Sequence, residues 1–216
     1  MSFQVMLQQL GSGMLTSMLI FALTLLGSLP LALPVAFGRM SRFAPLRMLM
    51  RVYISFMRGT PLMLQLLVVY FGPWFLLKIP LSNGYRFYAV IIAFVLNYAA
   101  YFAEIYRAGI ESIPRGQYEA AEVLGYSRGQ TFRRIIFPQM VKRILPPVTN
   151  EIITLIKDTS LAFAIGVLEM FTLAKQIASA EKSMIPFVAA AAFYYIFNAV
   201  VAWAMERFEC RLSYYR

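Results

Sequence analysis

The sequence contains no histidine and a single cysteine, Cys210. Without histidine the chain cannot carry an HExxH metal site, a histidine-based catalytic triad or a histidine proton relay. One cysteine forms neither an intrachain disulfide nor a cysteine-based metal centre. The sequence also lacks a GxxxxGKS/T stretch, so any nucleotide chemistry must come from a partner. We therefore expect no catalytic residue, no metal site and no cofactor in this chain.

Charged residues are scarce as well. They make up 14% of the 216 residues, while 60% are hydrophobic. A soluble domain usually has about 25% charged residues, so this composition indicates a membrane protein. The net charge of +10 suggests nucleic-acid binding in a soluble protein, but in a membrane protein it more often reflects basic cytoplasmic loops.

Five segments are long and apolar enough to cross a bilayer, which takes about 20 residues in a helix. They cover residues 14–38, 59–77, 87–107, 144–168 and 183–205. The first lacks the basic flank of a signal peptide and exceeds the usual apolar core of one, so we expect it to be a span. The sequence predicts an all-α fold, in which residues 1–216 form one domain with a bundle of five transmembrane helices.

Lysine and arginine are distributed unevenly between the loops. Five lie between the first and second spans, seven between the third and fourth, and three after the fifth, whereas the opposite loops hold only four. By the positive-inside rule, this distribution predicts an N-terminus outside the cell and a cytoplasmic C-terminus. The basic excess is then topological, and we expect no nucleic-acid partner.

The longest polar segment, residues 110–142, is expected to lie in the cytoplasm. Pro114 suits the first turn of a helix, and Gly125 is a natural helix stop. Residues 127–130 match a capping box that opens a second short helix, which is expected to end before Pro138. Two short helices joined at a glycine would form a compact knob that can enter a groove on another protein. The alternative is an ordinary amphipathic loop lying on the membrane.

The Glu119-Ala120-Ala121 triplet, followed by Gly125 and later by Pro138, resembles the EAA loop of ABC importer permeases. The resemblance implies that this segment holds the coupling helix, which docks on a cytoplasmic ATP-binding subunit. ATP and magnesium would be bound by that partner.

Other motifs resemble those of the permeases for polar amino acids of the histidine, glutamine, arginine and opine type. The first is Arg58-Gly59-Thr60-Pro61, and the others lie at residues 97–110, at Lys157-Asp158-Thr159-Ser160-Leu161 and at residues 212–215. The RGTP motif also has a purely structural interpretation, with Thr60 as the N-cap of the second span, Pro61 at its first helical position and Arg58 at the headgroups. One departure from the group is Tyr98, at a position where a small residue is usual. This larger side chain affects the size or shape of any cavity near Asn97.

The resemblance covers essentially the whole chain. It implies a permease subunit of an ATP-driven importer for a polar amino acid, working by alternating access in a bacterial inner or plasma membrane. It also implies a second permease chain, identical or homologous, two ATP-binding subunits and an extracellular or periplasmic amino-acid-binding protein.

Two spans carry polar stripes at helical spacing. The third has Asn97, Tyr101 and Glu104, and the fourth has Glu151, Thr154 and Asp158. Ionisable groups inside a membrane are costly and are functional candidates by default. Facing stripes would line a pathway, with the acids accepting the substrate ammonium and Lys157, Asn97 or backbone amides donating to its carboxylate. The candidate substrate-binding residues are Asn97, Tyr98, Tyr101, Glu151, Thr154 and Asp158. Alternatively, Lys157 pairs with Asp158 or Glu104 only to hold the helices together.

Two other functional classes compete with the importer. An ion channel would use polar stripes without a docking knob and would conduct without ATP. An intramembrane enzyme would need a nucleophile and base or a metal site, for which the absent histidine and the lone terminal cysteine leave little material.

Overall fold

The computed structural model describes residues 2–82 and 84–212, and these residues contain helices and connections but no strand. The α-helices are α1 (Phe3–Arg39), α2 (Ala44–Gly59), α3 (Leu62–Leu77), α4 (Tyr85–Glu111), α5 (Arg115–Val123), α6 (Arg128–Thr131), α7 (Phe137–Asp158), α8 (Met170–Glu181) and α9 (Ile185–Leu212). A π-helical turn covers Phe132–Ile136, and a 3-10 segment covers Thr159–Ile165. Positions 213–215 of the predicted C-terminal signature lie outside the described residues.

Three of these helices, α1, α4 and α9, are each long and apolar enough to cross a membrane. Two further spans arise only if helices joined at a bend are counted together. The bend is 109° between α2 and α3, and it is 58° between the 128–165 helical segment and α8. The described residues therefore offer three to five spans. Helix α4 is the centre of the bundle, because it packs against α1, α2, α3 and α7.

The RGTP motif forms the bend between α2 and α3. We predicted that Thr60 would cap the second span, and this was wrong, because Pro61 is the N-cap residue of α3. A residue before proline avoids helical backbone angles, and Thr60 is extended accordingly. Its hydroxyl donates to the Phe56 carbonyl at 2.8 Å and accepts from the Gln65 amide at 2.8 Å. Thr60 therefore closes α2 and ties it to α3.

Two boundaries around the predicted fourth span also differ. The second loop helix does not end before Pro138, because the π-helical turn leads directly into α7 and places Pro138 in its first turn. In that position the missing proline N–H is tolerated. The predicted single helix over 144–168 ends instead at Asp158, and its 3-10 continuation stops at Gly166, whose φ is 72°.

A buried carboxylate, Glu169, joins three helices beyond this break. It is the N-cap of α8 and accepts from the Phe171 and Thr172 backbone N–H groups, both at 2.7 Å. The hydroxyls of Ser17 on α1 and Tyr194 on α9 reach the same carboxylate at 3.4 and 3.3 Å. A buried charge is tolerated only when it is hydrogen-bonded in this way. The joint therefore fixes α1 and α9 to the start of α8.

Two glycines of α1 near this joint should respond oppositely to alanine. A Cβ at Gly13 would lie 2.8 Å from the Met170 Cα, whereas one at Gly11 would meet nothing within 4 Å. Alanine in a helix interior is usually more favourable than glycine by about 0.5–1 kcal/mol. We expect Gly11→Ala to keep or slightly raise the thermal unfolding midpoint in detergent, and Gly13→Ala to destabilise by about 1–3 kcal/mol through overpacking. Equal midpoints would contradict this close α1–α8 contact.

Candidate translocation cavity and coupling loop

A cavity of about 440 Å³ opens between the end of α2, the C-terminal half of α4 and the middle of α7. This volume falls in the usual range for small-molecule sites, about 300–1,000 Å³. Its ionisable lining consists of three arginines and two glutamates together with one tyrosine: Arg58, Arg107, Arg143, Glu104, Glu151 and Tyr101. The sequence predicted that Tyr101 and Glu151 would share a pathway, and both line this cavity.

Glu104 is the centre of an arginine cluster in the cavity wall. Arg107 donates to both of its carboxylate oxygens, the shortest contact being 2.7 Å, and also pairs with Glu111 at 2.5 Å. Arg39 and Arg58 approach the Glu104 carboxylate at 3.9 Å each. The cluster thus connects the ends of α1 and α2 with α4. Because Arg107 already satisfies Glu104, the guanidinium of Arg58 keeps its hydrogen-bonding capacity.

Arg58 and Glu151 are two lining residues of the cavity with opposite charges. Arg58 lies over the Tyr101 ring, with 5.4 Å between its Cζ and the ring centroid, and makes no hydrogen bond to any described residue. Within the same described part of the chain, the half-buried Glu151 accepts no hydrogen bond and forms no ion pair within 4.0 Å. Guanidinium groups bind carboxylates, and carboxylates bind ammonium groups. The cavity can therefore hold both ends of a zwitterion.

Asn97 lies behind the cavity rather than in its lining. Its amide nitrogen donates to the Met57 carbonyl at 3.0 Å and to the Gln65 side chain at 2.9 Å. Gln65 also donates to the Met57 carbonyl, at 3.0 Å. The side chain of Asn97 is buried, and its bonds fix the residue next to Arg58. Sequence reasoning missed Gln65, for which the only signal was an amide in an otherwise apolar segment.

The remaining predicted substrate contacts lie outside the cavity. Tyr98 is buried and donates to the Asp158 carboxylate at 2.7 Å, which joins α4 to the end of α7. Thr154 is exposed, and its hydroxyl donates to the Asn150 carbonyl at 2.9 Å. Lys157 is also exposed and forms no ion pair with a described residue, so the alternative pairing with Asp158 or Glu104 is absent. The two polar stripes therefore meet at the cavity, through Tyr101, Glu104 and Glu151, whereas Asp158 contacts Tyr98, which lies outside the stripe of α4.

The loop at residues 110–142 contains the glycine turn and the capping box that its sequence predicts. Helix α5 ends next to Gly125, whose φ of 77° suits glycine at a helix terminus. The capping box is complete, with Ser127 Oγ accepting from the Gln130 N–H at 3.4 Å and the Ser127 N–H donating to Gln130 Oε1 at 2.9 Å. Ala121 is fully buried, while Glu119 and Ala120 are exposed.

Two exposed apolar side chains stand at the tip of this loop and were not predicted as functional. Val123 is 88% exposed and Leu124 is 72% exposed. Both follow Glu119 and Ala120 at helical spacing and precede the turn at Gly125, so they extend the same surface. The signal was two consecutive apolar residues within a polar loop. An exposed apolar tip of this kind indicates a protein-binding surface.

Comparison with known proteins places the chain among membrane transport components. Residues 28–214 match the family described as binding-protein-dependent transport system inner membrane component. The chain is 39% identical over 188 residues to the L-cystine transport system permease protein TcyB of Bacillus subtilis, covering 86% of this chain and 78% of that protein. It is 34% identical over 205 residues to the arginine transport system permease protein ArtQ of Bacillus subtilis, covering 93% and 91%.

A further relative is the nopaline transport system permease protein NocM of Agrobacterium fabrum, 37% identical over 194 residues, covering 87% of this chain and 80% of that protein. The fold matches a crystal structure of an amino acid ABC transporter with histidines at a TM-score of 0.87 and 31% identity, covering 98% and 99% of the two chains. An inward-facing MetNI methionine ABC transporter shares the fold alone, with a TM-score of 0.76 and 16% identity over 99% and 100% of the two chains.

Proposed function

This chain belongs to the family of binding-protein-dependent transport system inner membrane components, and we propose that it moves a polar amino acid through the cavity between α2, α4 and α7. It is a permease subunit of an amino-acid ABC transporter and a multi-pass membrane protein, and it is not itself an enzyme. Its relatives are named for L-cystine, nopaline and arginine, all of which carry an amino acid's ammonium and carboxylate groups.

In the proposed assembly two permease chains, identical or homologous, work with two ATP-binding subunits and an amino-acid-binding protein outside the membrane. Each chain crosses the membrane five times, with the N-terminus outside and the C-terminus in the cytoplasm. The ATP-binding subunits hold ATP and magnesium, and they dock on α5 through Glu119, Ala120 and the exposed apolar tip. Their closure moves α5, and the spans respond by opening the cavity to alternate sides of the membrane.

Substrate recognition in this proposal rests on one observation. The Glu151 carboxylate and the Arg58 guanidinium lie in the wall of one cavity, and neither makes a hydrogen bond to a described residue. Glu151 accepts the substrate's ammonium or another cationic group, and Arg58 donates to its α-carboxylate. Tyr101, under the Arg58 guanidinium, keeps that side chain in place through a cation–π contact.

Asn97 acts in this proposal as a positioning residue, because it holds the Met57 carbonyl and thereby the end of α2 that carries Arg58. Tyr98 and Asp158 join α4 to α7 behind the cavity. Direct contact of Asn97, Tyr98, Thr154 or Asp158 with the substrate stays a prediction.

The site assignment predicts a specific defect for Glu151→Gln. The complex is reconstituted with its ATP-binding subunits and binding protein, and ATP hydrolysis is measured with L-arginine, L-glutamine or L-cystine supplied through the binding protein. We expect whichever of these stimulates the wild type to stimulate Glu151→Gln roughly 10-fold to 100-fold less, which corresponds to one charge-assisted hydrogen bond of about 1.5–3 kcal/mol.

Thr149→Ala is the matched control, since Thr149 lies on the same helix and its hydroxyl donates to the Leu145 carbonyl of its own turn. That variant should keep the wild-type stimulation. Unchanged substrate dependence in both Glu151→Gln and Arg58→Gln would show that the cavity is not the binding site.

A further inference from the structure

Helix α2 presents three distinct faces, although it has only 16 residues. The first faces the bundle, with Ile54 buried and Met50, Tyr53 and Met57 partly buried. These four positions recur at intervals of three and four residues, as expected for one side of a helix. Tyr53 strengthens this contact by donating its hydroxyl to the Leu96 carbonyl of α4 at 2.5 Å.

The second face is apolar and exposed. Leu49, Val52 and Phe56, at helical spacing, are all more than half exposed. Phe43, immediately before the helix, is exposed as well. Large apolar side chains grouped on one exposed face mark a surface that is covered by lipid or by another protein.

The third face is basic. Arg47, Arg51 and Arg58 lie at i, i+4 and i+11, and Arg42 precedes the helix. The first 103 residues of the chain contain no aspartate or glutamate. Arg47 donates only to the Ser41 carbonyl, at 3.1 Å, and neither Arg42 nor Arg51 pairs with an acid in the described part of the chain. The exposed guanidinium groups at the start of α2 therefore carry uncompensated charge.

We propose that α2 is an interfacial helix that binds the phosphate groups of anionic phospholipids through Arg42, Arg47 and Arg51. Its apolar face, Leu49, Val52 and Phe56, lies among the acyl chains. A helix with one basic and one apolar face suits the membrane interface, where it meets headgroups and hydrocarbon at once. The charge complementarity favours lipid over a second copy of this chain, because a copy offers the same basic face to itself.

Lipid bound at this surface can influence transport, because the far end of α2 carries Arg58 into the cavity. The Asn97 bond to the Met57 carbonyl and the Tyr53 bond to the Leu96 carbonyl connect the helix rigidly to α4. Headgroups that hold the start of α2 therefore bias the position of Arg58. We expect ATP hydrolysis by the complex to be faster in bilayers containing phosphatidylglycerol than in pure phosphatidylcholine.

The direct test measures phosphatidylglycerol binding to the detergent-solubilised complex by native mass spectrometry. The double variant Arg47→Gln, Arg51→Gln should bind this lipid roughly 25-fold more weakly, at about fivefold for each arginine near an anionic surface. Soluble glycerol phosphate should not compete, since it lacks acyl chains for the apolar face. High ionic strength should weaken phosphatidylglycerol binding by the wild type more than it weakens binding by the variant.

The matched control is Arg207→Gln, Arg211→Gln, which removes the same charge from the exposed C-terminal turns of α9. An equal loss of lipid affinity in the two double variants would overturn the proposal. It would also be overturned if Val52→Cys, in a Cys210→Ser background, formed disulfide-linked permease dimers, since a second copy would then cover this face. Neither readout needs substrate, so failure here is distinguishable from failure of the cavity assignment.

Discussion

Replacing Val123 and Leu124 with aspartate is expected to release the ATP-binding subunits from the permease while leaving the transmembrane helices folded. Both side chains are largely exposed in the isolated chain, at 88% and 72%, so the substitutions remove little internal packing. In the proposed assembly they are buried against the partner, and burying a valine or leucine side chain contributes about 1.5–3 kcal/mol. The double variant should bind its ATP-binding subunit roughly a hundredfold to ten-thousandfold more weakly.

Co-purification of the co-expressed ATP-binding subunit in mild detergent measures this effect. The matched control is Met184→Asp, Ile185→Asp, which places two aspartates at another exposed apolar pair, at the start of α9. In the proposed topology that pair faces outside, so the control should retain the partner. Retention by the Val123 and Leu124 double variant at the wild-type level would rule out this tip as the docking surface.

The features that the sequence predicted well are those encoded by neighbouring residues. Gly125 and the capping box at residues 127–130 depend on contacts within a few positions, and both are present. Helix α2, by contrast, was read as a basic loop between spans. Its arginines interrupt the apolar positions along the sequence. The helical pattern is visible only when the bundle-facing, exposed apolar and basic positions are considered separately. Helix α2 ends before Pro61 because a proline keeps the backbone of the preceding residue, Thr60, out of the helical region. The prediction of Thr60 as an N-cap did not take this constraint into account.

The candidate site could be predicted only in part, because its residues come from several helices and the sequence shows only their spacing along each one. Helical spacing puts Asn97 and Tyr101 on one side of α4, but spacing does not say which neighbouring element each residue meets. Tyr101 reaches the cavity, whereas Asn97 meets Gln65 and the Met57 carbonyl. Glu169 was missed altogether, because its partners Ser17 and Tyr194 are far away in sequence and only the folded bundle brings them together.

Neutralising Glu104 should have a much larger effect than neutralising Glu111, although both acids lie on α4 and both bind Arg107. The Glu104 side chain is 17% exposed and has three arginine partners, whereas that of Glu111 is 53% exposed and has one. With Glu104→Gln, three guanidinium groups remain close together in a partly buried site. Losing charge-assisted hydrogen bonds there should destabilise the complex by about 1.5–3 kcal/mol. An exposed pair such as that of Glu111 contributes about 0–1 kcal/mol.

The test measures the thermal unfolding midpoints of complexes that carry Glu104→Gln or Glu111→Gln in detergent. A double variant, Glu104→Gln with Arg58→Gln, then identifies the cause of the destabilisation. If repulsion among the arginines is responsible, Arg58→Gln should be less harmful in the Glu104→Gln background than in the wild type, with an interaction energy of about 0.5–3 kcal/mol. The same cycle with Arg115→Gln, an exposed arginine of α5, should be additive. Additivity for Arg58 as well would mean that the 3.9 Å approach between Arg58 and Glu104 carries no energetic coupling. The Asn97 bond to the Met57 carbonyl would then hold the end of α2 on α4 without help from the arginine cluster, and the cluster would not link the cavity to the lipid-facing helix.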